Sequence, residues 1–177
     1  DEPLILSARA KIEKEPNYSN VAAALAVNAL YKEVFRESVD SDTFDLQYKK
    51  SFVQGIKKLV KNEILNEKLL GYDLKKLSEA LVPDRDRKFK YLGLQILIDR
   101  YFIRSNNKII ESPQAFWMRI AMGLALNEKN KEERAIEFYN LFSNLLYTPS
   151  TPTLFNSGTT HSQLSSCYLN TFDDSID

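Results

Sequence analysis

Glu132-Glu133-Arg134-Ala135-Ile136-Glu137-Phe138-Tyr139-Asn140-Leu141-Phe142-Ser143-Asn144-Leu145-Leu146 is the stretch on which the fold class turns. Ala135, Phe138, Tyr139, Phe142, Leu145 and Leu146 recur at the three- and four-residue intervals of one helix face. The spacing predicts a helix over 132–146 with a continuous apolar stripe packed into a core. Upstream, Ser112-Pro113 is a helix start. Serine suits the cap, and proline suits the first helical position, where its missing N–H costs nothing. Phe116, Trp117, Ile120 and Leu124 then share a face as far as Asn127.

Working back towards residue 1, the same period recurs. Val27, Leu30, Tyr31, Val34 and Phe35 mark a helix capped by Ser19 or Asn20. Tyr48, Phe52, Ile56, Leu59 and Val60 mark another. A first helix is expected over Leu4–Glu15, ended by Pro16, because the residue before proline avoids the helical region. Shorter helical pieces are expected over 62–70 and 74–81, and a longer one over 89–102. Asn106-Asn107 reads as a turn, and 108–111 as a short strand or a lead-in to the next helix. With only five glycines and six prolines, mostly between these segments, long helices with short joints are favoured over a many-turned β fold. The class expected for 1–146 is all helical.

Composition narrows the function. Apolar residues make up 44% of 177, enough for a packed core. Lys+Arg and Asp+Glu each number 24, so no global field favours nucleic acid or a membrane surface. Lysines crowd between Lys49 and Lys76, but Glu63, Glu67 and Asp73 fall among them, as on a solvated helical surface. No charged-then-apolar leader and no run of 18 apolar residues occurs. One cysteine makes no internal disulfide, and a cytoplasmic location is expected. The opening on Asp1-Glu2-Pro3 without Met, and the close on an unfinished segment, lead us to expect a piece of a longer protein.

After Leu146 the pattern changes. Residues 147–166 are dominated by Thr, Ser, Pro, Asn and Gly with no helical period, and Cys167-Tyr168-Leu169 reads as the start of a strand. A structureless loop this long is usually functional or disordered. Its hydroxyls and N–H groups are suitable donors to a phosphate or ribose. His161 is solitary, so Cys and His assemble no metal cluster. No Gly-rich phosphate loop and no nucleophile elbow is present. Taken without its neighbours, Cys167 reads as a buried structural thiol. Thr153 and Ser166 read as loop-capping hydroxyls, and Asp174 as part of a solvated acidic tail.

Two motifs change that reading. Thr151-Pro152-Thr153-Leu154-Phe155-Asn156-Ser157-Gly158 and Ser162-Gln163-Leu164-Ser165-Ser166-Cys167 resemble the start of the catalytic barrel in ribonucleotide reductase large subunits. Weaker similarity runs through Leu4–Glu15 with Pro16-Asn17-Tyr18, which resembles the family's join after its ATP-cone domain. Tyr91-Leu92-Gly93-Leu94, Asp99-Arg100-Tyr101 and Glu111-Ser112-Pro113-Gln114 to Ala121 resemble its helical domain.

The resemblance implies a mainly α architecture: a helical domain over 1–146, then from 147 to 177 a loop and the first strand of a ten-stranded α/β barrel that this chain does not complete. It implies an oxidoreductase that converts ribonucleoside diphosphates to deoxyribonucleotides by thiyl-radical chemistry, inactive as this piece alone. By resemblance, Cys167 is one member of the redox-active cysteine pair, its partner lying outside this chain. Thr153 contacts the substrate diphosphate, and Ser166 lies beside the substrate ribose. Asp174, Ser175 and Ile176 begin the deoxynucleotide effector site. No cofactor or metal is expected in this chain. The radical is expected from a separate metal-containing small subunit, with thioredoxin or glutaredoxin as reductant, ATP and deoxynucleotides as effectors, and a homodimer as the parent assembly. Two other classes compete: a cobalamin-dependent reductase, and a helical interaction module without catalysis. The second leaves the 151–167 loop without a purpose.

Overall fold

The computed structural model describes residues 1–171. Helix α1 (Glu2–Arg9) packs on the long α2 (Tyr18–Phe35), and α3 (Phe44–Lys61) leads to a 3₁₀ turn at Glu67–Gly71 and the short α4 (Leu74–Glu79). A second 3₁₀ turn, Pro83–Lys88, precedes α5 (Tyr91–Ile96), which runs into a π-helical turn at Leu97–Tyr101. Then come strands β1 (Arg104–Ser105) and β2 (Lys108–Ile109), α6 (Pro113–Leu124), α7 (Lys131–Ser143) and α8 (Thr151–Asn156).

The helical stripes become the core. Val27, Leu30, Tyr31 and Phe35 of α2, and Tyr48, Phe52, Ile56 and Leu59 of α3, are buried, with Val34 and Val60 packed at the margin. Phe116, Trp117 and Ile120 of α6 meet Ala135, Tyr139 and Phe142 of α7. Tyr31, Phe35, Phe44 and Tyr48 form an aromatic cluster whose centroids lie 5.1–6.0 Å apart, within the spacing of favourable ring pairs.

Several boundaries differ from expectation, each for a local reason. The first helix ends at Arg9, and residues 10–14 continue as turns. Helix α2 begins at Tyr18 with no side-chain cap. Ser19 Oγ instead accepts from the Tyr91 N–H at 3.1 Å, and Asn20 accepts from Lys90 Nζ at 2.7 Å, so both expected caps serve the start of α5. Ser112 precedes α6 as expected, but its hydroxyl is buried without a well-formed hydrogen bond. Helix α7 stops at Ser143 because Leu145 takes φ +60, leaving Leu145 and Leu146 exposed rather than in the stripe.

The mainly helical class holds, with one addition. Asn106 and Asn107 both adopt positive φ, the geometry of a two-residue hairpin turn whose twist matches the strands it joins, so β1 and β2 pair. The segment after Leu146 also contains a helix, α8, where a loop was expected. Cys167–Leu169 carry no strand pairing among the described residues, since a strand needs a neighbour to satisfy its main chain.

Among the described residues, one buried carboxylate has no cationic partner. Asp86, 2% exposed, accepts from Tyr31 Oη at 2.6 Å, Tyr48 Oη at 2.8 Å and Gln114 Nε2 at 2.6 Å. Gln114 Oε1 accepts from Tyr139 Oη, which accepts from the Val82 N–H. This chain of bonds joins α2, α3, α6 and α7 through the 83–88 turn. Burial raises the Asp86 carboxyl to about 6, although its three donors pull the other way. Burial and then the Asp86 charge push both tyrosine hydroxyls well above their ordinary range.

Candidate functional site

Helix α8 carries the first of the two motifs, and its placement begins with α6. Arg119 is wholly buried, because its guanidinium is satisfied on every side. Nε donates to Glu111 Oε1 at 2.7 Å and Nη2 to Oε2 at 3.3 Å, a two-pronged ion pair. Nη1 donates to the Ser157 carbonyl at 2.7 Å, and both Nη atoms reach the Leu154 carbonyl at 3.4 Å. Those carbonyls belong to the end of α8, where helix main chain lacks internal donors. Glu111 also accepts from the Ile103 N–H, so the pair ties the hairpin, α6 and α8 together.

Two glycines let the backbones meet. A Cβ on Gly123 would collide with the main-chain N of Gly158 and the Ser157 hydroxyl. Gly158 itself adopts φ +79, and a Cβ there would lie 3.1 Å from the Arg119 carbonyl. Ser157 Oγ donates to the Ile120 carbonyl at 2.7 Å. Beyond it the chain pairs with the turn after α3: Asn66 N–H donates to the Gly158 carbonyl, and Thr160 N–H to the Ile64 carbonyl. Residues 151–160 are thus fastened to the helical body.

The following residues fold back over α8. Thr153 Oγ1 donates to the Leu164 carbonyl at 3.2 Å and lies 3.1 Å from Ser150 Oγ. Asn156 Nδ2 donates to the Gln163 carbonyl at 2.7 Å. Phe155 packs on Tyr101 with centroids 4.6 Å apart. In this arrangement Thr153 is buried and engaged in holding the loop, as a capping hydroxyl is. Ser166 and Cys167 are exposed, which removes the reading of Cys167 as a buried structural thiol. Asp174, Ser175 and Ile176 lie outside the described residues. Among the described residues no group of three or more His, Cys, Asp or Glu could hold a metal ion, and no helix is long and apolar enough to cross a membrane.

Sequence reasoning did not single out Arg119, Glu111, Gly123 or the Asn156-Ser157-Gly158 joint as the parts that position this segment. Asn156-Ser157-Gly158 lay inside the quoted motif, and the Ser150–Pro152 start of α8 repeats the Ser112-Pro113 signal of α6. Glu111 and Arg119 both lie inside the quoted stretch from Glu111 to Ala121, but nothing in it shows that the two side chains pair across the helix start.

Residues 87–162 match the family model described as ribonucleotide reductase, all-alpha domain. The chain is 47% identical over 172 residues to the ribonucleoside-diphosphate reductase subunit alpha of Chlamydia trachomatis, covering 97% of this chain and 16% of that protein. It is 38% identical over 176 residues to the subunit alpha of Helicobacter pylori, covering 98% and 21%. The large subunit of monkeypox virus is 36% identical over 167 residues, covering 93% and 21%. The chain therefore spans about a sixth to a fifth of the length of these relatives. The stretch that carries α6, α7 and α8 thus matches the all-alpha domain of ribonucleotide reductase, and nearly the whole chain is similar to part of ribonucleoside-diphosphate reductase large subunits.

Proposed function

We propose that this chain serves a ribonucleoside-diphosphate reductase as the helical unit, residues 1–146, and the lead-in to its catalytic barrel, 147–177, whose α8 is docked on the helical unit. The observation that carries the reading is similarity over nearly the whole chain to reductase large subunits, together with the motif at 151–167. The helical unit is the support: Arg119 and Gly123 hold α8, and α8 holds the loop that leads to Cys167.

In this reading Cys167 is one thiol of a pair that is oxidised to a disulfide. The two thiols supply two electrons and two protons, the ribose 2′ carbon loses its hydroxyl as water, and a deoxyribonucleotide results. Thr153 exchanges its loop carbonyl for the substrate diphosphate, and Ser166 stands beside the ribose. Asp174, Ser175 and Ile176 open the effector site. The partner thiol, the radical and the reductant come from elsewhere: the rest of the large subunit, a metal-containing small subunit, and thioredoxin or glutaredoxin in the cytoplasm. The relatives' printed names, ribonucleoside-diphosphate reductase, favour diphosphate substrates and the two-subunit class over the cobalamin class.

The test is one turnover of the full-length reductase without external dithiol, followed by mass-spectrometric disulfide mapping. Cys167 is expected in a disulfide with a second cysteine of the same subunit, in amounts matching the deoxynucleotide formed. Product formed while Cys167 stays a free thiol refutes the role.

A further inference from the structure

Between the end of α2 and the body of α3 lies a small pocket of about 110 Å³, lined among others by Arg36, Lys50, Gln54 and Lys58. The space admits a small group rather than a whole ligand. Whole small-molecule ligands need roughly 300 Å³ or more. The guanidinium of Arg36, the ammonium of Lys58 and the amide of Gln54 have no hydrogen-bond or ion-pair partner among the described residues. Lys50 has only Glu37, at 3.9 Å. Arg36 occupies the position just past α2 with φ +59, a left-handed conformation that glycine adopts freely and arginine does not. A cation at a helix C-terminus is favourable in itself, which accounts for Arg36 and Lys58 singly. It does not account for their convergence. Partial burial, and then the positive charges of Arg36 and of Lys108 on β2, hold the Lys58 ammonium below its ordinary value. One acid, Glu37, lines the same pocket beside Lys50, and Glu33, close by, is engaged with the Ile109 N–H.

We propose that this pocket is a phosphate-binding site, with the Arg36 fork and the Lys58 and Lys50 ammonium groups as its donors. Arginine's planar fork matches two phosphate oxygens, and lysine supplies a mobile point charge beside it. The site lies on α2 and α3, apart from α8 and its loop, and it stands whether or not the assignment of Cys167 does.

The test uses the 177-residue chain, with inorganic phosphate and pyrophosphate as probes and sodium chloride at matched ionic strength as control. Calorimetry and thermal melting should show saturable binding to the phosphates beyond the effect of chloride. Arg36→Gly and Lys58→Met should each weaken that binding at least tenfold. Because glycine relieves the left-handed backbone, Arg36→Gly should melt no lower than the parent without ligand, so lost binding is not lost folding. Pyrophosphate binding more than tenfold tighter than phosphate assigns the site to a phosphorylated small molecule, and equal binding assigns it to free phosphate. Binding no better than chloride, or undiminished in Arg36→Gly, overturns the proposal.

Discussion

Arg119 Nη1 donates to the Ser157 carbonyl at 2.7 Å while its Nε is paired with Glu111 Oε1 at the same distance, so one buried side chain fixes both the start of α6 and the end of α8. Removing one partner of a buried pair leaves the other charge stranded. Arg119→Met should therefore cost about 3–5 kcal/mol in chemical denaturation. The double variant Arg119→Met with Glu111→Gln should cost less than the sum of the two singles. Strict additivity would show that the pair does not act as a unit.

Stability should depend on pH through Asp86. Burial raises its carboxyl to about 6 in the folded chain, against ~3.9 when exposed, so the folded state holds this proton more tightly. The contribution favours folding fully below about pH 4 and is lost as the pH rises through about 6, a change on the order of 3 kcal/mol. Asp86→Asn should flatten this part of the stability profile. The difference between parent and variant isolates it from the exposed carboxylates, Glu79 and Glu133, which neighbouring lysines lower. Parallel profiles from pH 4 to 7 would contradict the burial account.

Phe142 lies 3% exposed against Trp117, at 6.2 Å between centroids, in the contact between α6 and α7. Phe142→Ala should destabilise the helical body by about 3–5 kcal/mol in thermal or urea unfolding. A loss below about 1 kcal/mol would mean that α7 is not integral to the core.

The helices that carry long apolar stripes were legible because burial writes a 3.6-residue period into the sequence. Val27 to Phe35 and Tyr48 to Leu59 are of this kind. Element ends were less so: nothing in the apolar Leu145-Leu146 shows that the main chain has already turned left-handed. Helix α8, six residues long, is too short to display a period, and its Thr and Ser content resembles a loop. Asp86 sits within a run of five charged residues, 84–88, that reads as solvent-facing. Only the approach of Tyr31, Tyr48 and Gln114 from three other elements makes it a core residue. The Cys167 motif was legible by resemblance, while the support beneath it, Arg119 and Gly123, depends on contacts between segments over 30 residues apart.

Turnover of the full-length reductase carrying Cys167→Ser, measured as deoxynucleotide formed with a dithiol reductant, tests the central claim most directly. Serine keeps a hydroxyl of similar size but forms no disulfide, so the loss belongs to kcat rather than to ground-state affinity. The account predicts that product formation collapses while nucleoside diphosphate still binds within a few-fold of the parent. Deoxynucleotide formation at the parent's rate by Cys167→Ser would contradict it.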